Sequence, residues 1–424
     1  MTHPQGSRWY FGWNIVAAAT LLTLLTVGLR LGAGPFILPM TQDLGFSRSL
    51  LSGIVAAGML AYGVGMPLAG MLVARRGTPF VLLLGAAMVA VAIVWTVYAR
   101  DPLSFLLSFG VLLSLGLSFT SPVALTPVVS RWFTRRRGMA LFCLSTGSMA
   151  GIAIMTPALN WAIGASTWQH TLMGFAVVFV ALTVPAALLV IRDHAPPHTD
   201  LTPDQIAALP PAAATATAPT ATATAAAPQP AASLSFSDAI GTAPFWKITA
   251  GLFACGFSMN LLGTHGVPML MDHGFDAATG SLGIGLIGLV AIFGTQALGR
   301  VSDALPRRKI LASIYFIRGL GFFALLLVGT HWELYLAASI GGLVWAGSVA
   351  TSSAILADVY GVRLVGVLYG CAYLGHQIGA AVSSWLGGWG FEKFGTHWLA
   401  FGSAGALLLV AALISLSLPA QAKP

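Results

Sequence analysis

The sequence predicts an all-α membrane protein of twelve transmembrane helices arranged as two pseudo-symmetric six-helix bundles. Three observations lead there. Of the 424 residues, 57% are hydrophobic and only 8% charged, whereas soluble domains carry about 25% charge. Uncharged apolar stretches such as Phe80–Ala99 and Ala400–Leu418 match the roughly 20 residues a helix needs to cross a bilayer. Polar or Gly/Pro-rich breaks divide the chain into about twelve such stretches, six on each side of a segment of different composition. A mean hydropathy of +0.86 excludes disorder over most of the length.

In chain order, the first six spans are expected near Phe11–Met40, Ser47–Ala74, Thr78–Ala99, Leu103–Ser130, Gly138–Gly164 and Thr167–Ile191. Arg8–Trp13 leads straight into the first, with no cleavable signal pattern. Pro35 and Pro39 interrupt the first span, Pro122 and Pro127 the fourth, and Pro157 the fifth. Such prolines are tolerated where neighbouring helices or water satisfy the freed carbonyls. The second six are expected near Pro244–Met271, Ala277–Val301, Ile310–Thr330, Trp332–Ala357, Val365–Gly390 and Thr396–Leu418, with Pro268 inside the seventh. The run Gly283-Ile284-Gly285-Leu286-Ile287-Gly288 sits mid-span with no strand before it and no Lys after it. It reads as a small face for helix packing, not a nucleotide loop. Trp95, Trp132, Trp161, Trp168, Trp246, Trp332 and Trp398 lie near span ends and read as interfacial anchors. The expected domains are therefore an N-terminal bundle over 1–192, a linker over 193–243 and a C-terminal bundle over 244–424. Within the linker, Pro210–Ala232 is almost wholly Ala, Thr and Pro. Its prolines break the helix that alanine favours, so a flexible tether is expected.

Loop charges set the orientation. With the N-terminus inside, 15 of the 20 Lys and Arg fall in inner loops and three (Arg48, Arg100 and Lys393) in outer loops. The positive-inside rule then places both termini and the linker in the cytoplasm of a multi-pass inner-membrane protein. The net charge of +8 comes from these short basic clusters, which argues against a nucleic-acid partner. Cys143, Cys255 and Cys371 lie in apolar segments without CxxC spacing and read as small buried hydrophobes. No H-E-x-x-H spacing occurs among the nine histidines. Neither a metal, a cofactor nor an enzymatic activity is expected.

The halves repeat one another. Gly147-Ser148-Met149-Ala150-Gly151 of the fifth span matches Gly375-His376-Gln377-Ile378-Gly379 of the eleventh. Thr167-Trp168 and His397-Trp398 follow each about twenty residues later, and Gly70 to Gly77 mirrors Gly299 to Arg308. Two such halves on a cytoplasmic tether describe a transporter in which one bundle rocks against the other, with its ligand near the bilayer midplane.

At these motifs the sequence resembles the major facilitator superfamily. Gly299-Arg300-Val301-Ser302-Asp303-Ala304-Leu305-Pro306-Arg307-Arg308-Lys309 resembles its G-x-x-x-D-x-x-G-R-[RK] loop. The first-half copy, Gly70 to Gly77, has Ala74 where the acid usually stands. Arg8-Trp9-Tyr10-Phe11-Gly12-Trp13, and Trp132-Phe133-Thr134-Arg135-Arg136-Arg137-Gly138-Met139-Ala140 followed by Gly147-Ser148, resemble the monocarboxylate-porter branch. The resemblance implies a monomeric secondary-active carrier whose inner gate is latched through Asp303, Arg307, Arg308, Arg75 and Arg76. Anchored on Gly299, the eighth span has Ala291 and Thr295 where animal monocarboxylate porters carry an Asp–Arg pair. The coupling device of those relatives is therefore missing here.

Charge inside the membrane is costly, so an intramembrane ionisable residue must face protein or water. All 12 acids map to loops or span ends, which leaves a positive cavity suited to an anion. Arg30, some seventeen positions into the first span beside Gly28, Gly32 and Gly34, offers a planar fork for a carboxylate. Its alternative is snorkelling to the outer interface. It falls within one residue of the basic position that monocarboxylate porters use on this helix. His376, with Tyr373, Gln377 and, from the seventh span, Asn260, is expected to complete the site. His376 matches a lysine position of related oxalate–formate antiporters, and both His376 and the more outward His265 are candidates for carrying a coupled proton. Arg318 is a further intramembrane charge, expected either against the inner gate or at the substrate. The expected function is proton-coupled symport of a small organic anion, a monocarboxylate. An efflux antiporter for drugs or secreted metabolites, or an anion exchanger, is the alternative; the embedded acid that binds cationic cargo is missing.

Overall fold

The computed structural model describes residues 10–133, 137–194, 236–360 and 362–419. The side chains of residues 137–138, 295, 299–304 and 362–367 lie outside that description, as does most of the expected linker. Eleven helices among the described residues are long and apolar enough to cross a membrane. In chain order they are Gly12–Leu31, Arg48–Arg76, Thr78–Tyr98, Pro102–Trp132, Met139–Ala165, Trp168–Val190, Ala243–Asp272, Ala277–Leu298, Arg307–Leu327, His331–Tyr360 and Trp398–Leu416. The helix Val362–Phe394 stands between the last two. With it counted as the eleventh span, Trp398–Leu416 is the twelfth.

Local chemistry explains where the helices start, stop and break. The first ends at Gly32, whose N–H returns to the Gly28 carbonyl, and resumes as Gly34–Leu44 with Pro35 in its opening turn. That segment stops at Gly45, at φ 66°, where a side chain would be strained. Ser47 caps the second helix by accepting from the Leu50 N–H, and Asp101 caps the fourth by accepting from Ser104. Thr330 and Glu333 cap the tenth reciprocally. The fourth span, which prolines are expected to interrupt, and the tenth, expected as a single run, are each broken midway. The fourth is interrupted at Thr120–Ser121, just before Pro122. The tenth pauses after Leu343 and resumes at Gly347.

The internal repeat becomes a packing rule in three dimensions. On the fifth helix, a Cβ added at Gly147 would lie 2.5 Å from the Thr20 carbonyl oxygen, and one at Gly151 2.6 Å from that of Leu24. Both contacts are to the first helix. On the eleventh, a Cβ added at Gly375 would lie 2.8 Å from the Thr249 Cγ2 and 3.1 Å from its carbonyl oxygen, and Gly379 presses on the Phe253 carbonyl of the seventh. Small residues let these backbones meet where hydrophobicity alone cannot distinguish a helix from lipid. The same pairing joins the halves. Gly288 of the eighth helix would meet Met149 O at 2.7 Å on the fifth, and Gly388 of the eleventh sits against Arg48 and Ser52 of the second.

Large apolar side chains point outward along the spans, among them Val91 (58% exposed), Val177 (66%) and Leu413 (70%). Such a belt is stable only against lipid. Trp161, Trp246 and Trp332 are exposed, as interfacial anchors require, but Trp132 and Trp168 are buried. Their indole N–H groups instead donate to the Arg192 carbonyl (2.6 Å) and to Asp43 (3.1 Å), which ties span ends together.

Candidate functional site

Arg30 is carried to the seam between the halves, not to lipid. The first helix packs on the fifth through Gly28 and Gly151, which fixes its rotation and turns Arg30 toward the second and eleventh helices. Its Nη2 donates to Gln377 Oε1 of the opposite half (3.1 Å) and approaches Met59 Sδ (3.2 Å). The guanidinium lies 4.2 Å from the Tyr62 ring centroid, a cation–π arrangement. Its Nε is buried without a hydrogen-bond partner. No carboxylate pairs with it among the described residues.

Gln377 also places its amide near Met66, and a Cβ added at Gly63 would lie 3.0 Å from the Gln377 Cβ. Beside it, His376 is 3% exposed. Its Nδ1 lies 3.4 Å from Gln377 Oε1, and its Nε2 has no partner. Tyr373 stacks on the imidazole at 4.6 Å. Arg30, Tyr373, His376 and Gln377 therefore form one cluster across the seam, as the sequence leads one to expect. Asn260 is 1% exposed, donating Nδ2 to the Gly256 carbonyl with Oδ1 unpartnered. No contact joins it to Arg30.

His265 sits elsewhere. Its Nε2 lies 2.7 Å from the Ser384 carbonyl and 3.4 Å from Ser52 Oγ, under Gly387. It belongs to a second contact zone, at the end of the molecule that carries Asp43, Asp272 and Glu392. There Arg48 of the first half binds Asp272 of the second with both terminal nitrogens (2.7 and 3.2 Å). His397 Nε2 lies 2.9 Å from the same carboxylate, and the Ser49 N–H donates to Glu392. The Phe391 ring packs against both Arg48 (4.3 Å) and His397 (4.4 Å).

At the opposite, basic end the expected gating residues do not cross the seam among the described contacts. Arg307 pairs with Asp358 (2.5 Å) and Arg308 donates to the Leu418 carbonyl (3.1 Å), both within the second half. Arg75 and Arg76 are exposed, with Arg76 near the Phe80 ring. The side chain of Asp303 lies outside the described residues. Gly70 and Gly370 have open space where a Cβ would stand. Arg318 lies neither at this gate nor at Arg30 but inside the second half, against Cys255 and Trp345.

Sequence reasoning missed Tyr62, Met59 and Cys255. Tyr62 alone left a signal, as an aromatic within a run of closely spaced glycines, Gly58, Gly63 and Gly65. Among the described residues no group of three His, Cys, Asp or Glu could hold a metal ion.

The family model for the Major Facilitator Superfamily matches residues 16–330 and 288–424. An uncharacterized MFS-type transporter of Bacillus subtilis (strain 168), YcxA, is 27% identical over 89% of this chain and 86% of its own. Monocarboxylate transporter 11 of Homo sapiens is 24% identical over 98% of this chain and 84% of its own. Among solved structures, a D-xylose-proton symporter superposes with a TM-score of 0.69 at 13% identity, covering 97% of this chain and 98% of that one. A bacterial homologue of the lysosomal transporter Spinster, inward-facing and occupied, gives 0.62 at 18% identity, covering 97% and 93%. At these identities the structures establish the fold alone. With the family model spanning nearly all of both halves, the chain belongs to the Major Facilitator Superfamily, a family of multi-pass membrane transporters.

Proposed function

We propose that this transporter carries a small organic anion, a monocarboxylate, together with a proton. The observation that carries the proposal is Arg30: a partly buried guanidinium in the seam between the halves, held by Gln377 of the other half and by no acid among the described residues. A carboxylate would displace the neutral Gln377 oxygen and take both terminal nitrogens, a stronger, charge-assisted contact. One cation at this depth suits one carboxylate. Relatives named as monocarboxylate transporters support the same class of cargo.

Proton coupling is assigned to His376. It adjoins Arg30 through Gln377, so an imidazolium there shares the charge of an arriving anion. One proton also neutralises one carboxylate, and the pair crosses without working against the membrane potential. By the loop charges the basic end and both termini face the cytoplasm, so the Arg48–Asp272 end faces outward. As one bundle rocks against the other, the seam opens at one end while the other closes around Arg30.

Thermal-shift screening against mono-, di- and aromatic carboxylates at two pH values tests the cargo, because a ligand that binds the folded form raises its melting temperature. The best binder is then followed by labelled uptake into proteoliposomes containing a pH-sensitive dye. A monocarboxylate shift that disappears in Arg30→Gln is expected, as is lumenal acidification during uptake. An unchanged shift in Arg30→Gln overturns the carboxylate site. Retention of both uptake and its pH dependence in His376→Ala overturns the coupling role.

A further inference from the structure

The acidic end of the seam holds a buried histidine that the substrate site does not use. His397 stands just before the twelfth span and is 5% exposed. Its Nε2 lies 2.9 Å from Asp272 Oδ2 at the end of the seventh helix, a contact within the second half. The same oxygen accepts from Arg48 Nη1 of the first half at 2.7 Å, across the seam. An ionised carboxylate only accepts, so Nε2 carries the ring hydrogen and Nδ1 is the nitrogen left to take up a proton. Among the described residues that Nδ1 is buried without a partner.

Two features set an added proton against this closed arrangement. At Nδ1 it would create a buried donor with no acceptor, which is costly. The imidazolium would also share one carboxylate oxygen, and the Phe391 ring, with the Arg48 guanidinium. Two cations then repel each other around a single acid. Parting the halves draws Arg48 away and admits water to Nδ1, while Asp272 keeps the imidazolium as a partner in its own half. The proton therefore stabilises the parted arrangement relative to the closed one.

We propose that His397 is a proton-binding site that releases the latch at this end: its protonation replaces the Arg48–Asp272 pair across the seam by a His397–Asp272 pair inside the second half. The only bond formed is N–H at Nδ1. The other charged or titratable groups on the surrounding elements are Arg48 of the second helix, Asp272, His265 and His273 of the seventh, and Glu392 and Lys393 of the eleventh. The His273 ring lies 5.9 Å from that of His397, with its Nδ1 2.8 Å from the Met269 carbonyl. His265 meets Ser384 and Ser52, Glu392 accepts from the Ser49 N–H, and Lys393 lies over the Trp389 ring. His265 and His273 are the other imidazoles here, so the test keeps both in place. The latch requires neither the carboxylate cargo nor the role of His376; only its facing outward rests on the orientation given by the loop charges.

Ser52 lies in the seam at this end, against His265 and Gly388, so Ser52→Cys reports its opening. The full chain carrying Cys143→Ala and Cys371→Ala is labelled in detergent with a membrane-impermeant thiol reagent. Rates are taken at about pH 5.5 and about pH 8, which bracket the range in which imidazoles change charge, and each is divided by that of a free thiol at the same pH. Acid should speed labelling by up to about fivefold, the population shift expected for release of a partly exposed ion pair. His397→Gln, which keeps an N–H for Asp272 but takes no proton, should label at the slow rate at both pH values. Arg48→Met should label at the fast rate at both. Labelling of the parent protein that is unchanged or slower in acid overturns the proposal. Acceleration that survives in His397→Gln assigns the effect to His265 or His273 and overturns it as well. If His397→Gln does not fold, Arg48→Met decides alone, and acceleration retained there overturns it.

Discussion

Arg30 shows what one residue contributes here and how far it can be read in advance. A lone arginine deep in an apolar run declares its importance because its burial is so unfavourable. That much needs no coordinates. Its partners do: Met59 and Tyr62 lie 29 and 32 positions away on the second helix, and Gln377 lies 347 away. If the fork geometry matters as well as the charge, Arg30→Lys should bind a monocarboxylate more weakly than wild type and more tightly than Arg30→Gln. The full loss in Arg30→Gln should be about 10- to 100-fold, from about 1.5–3 kcal/mol for a hydrogen bond to a charged group. Equilibrium binding across the three proteins reads this, and equal affinity for the Lys and Arg forms would show that point charge suffices. Arg318 marks the limit of such reasoning. Like Arg30 it is a charge within an apolar span, yet it is enclosed in one bundle against a thiol, and the sequence left its place open between the inner gate and the substrate.

Among the helices, the repeated glycines are the clearest determinant. Gly147 and Gly151 meet the first helix as Gly375 and Gly379 meet the seventh. The match of the two motifs is therefore a match of two packing surfaces. Substituting Gly151→Leu or Gly379→Leu should lower the melting temperature of the detergent-solubilised protein, with a cost of about 1–3 kcal/mol or more for overpacking. The same change at Gly164, which has open space around it, should be tolerated. Equal loss at all three positions would count against the packing account. A second prediction concerns the start of the eighth helix. Asp276 accepts from the side chain and backbone of Thr279 (2.6 and 2.9 Å), and these bonds hold its carboxyl below the ordinary value of 3.8. A depressed carboxyl stabilises the fold fully above its unfolded pKa and loses that contribution as pH falls through the folded one. The difference in melting temperature between wild type and Asp276→Ala should therefore be constant near neutral pH and narrow in acid. A gap that widens in acid would reverse the sign. The element boundaries themselves were legible to within a few residues. The mid-span break of the fourth helix was signalled by Pro122, but that of the tenth was not, because hydropathy is unchanged across it.

For the whole molecule, the described polar contacts between halves lie at the acidic end and at mid-depth. Arg48–Asp272, Ser49–Glu392 and Ser52–His265 close one end, Arg30–Gln377 lies between, and Gly70 and Gly370 near the basic end face open space. The Arg48 and Asp272 side chains are 25% and 23% exposed, so their ion pair contributes modestly, about 0.2–1 kcal/mol. That still biases a two-state carrier whose forms are close in energy. Arg48→Ala should raise the rate at which a membrane-impermeant thiol reagent labels Ser52→Cys by up to about fivefold, as expected for a population shift of that size. Unchanged labelling would show that Arg48 does not latch this end.

The sequence by itself determined the membrane location, the spans, the two-fold repeat and the scarcity of intramembrane charge. Each is a property of solvation or spacing that accumulates residue by residue along the chain. Only the tertiary structure decided that Arg30 meets Gln377 and Tyr62, that Arg318 meets Cys255, and that Arg48 latches Asp272. Those partnerships depend on the rotation of each helix about its axis and on how the two bundles dock. Close backbone contacts spread over many glycines set both, and neither the hydropathy nor the charge of any one segment encodes them.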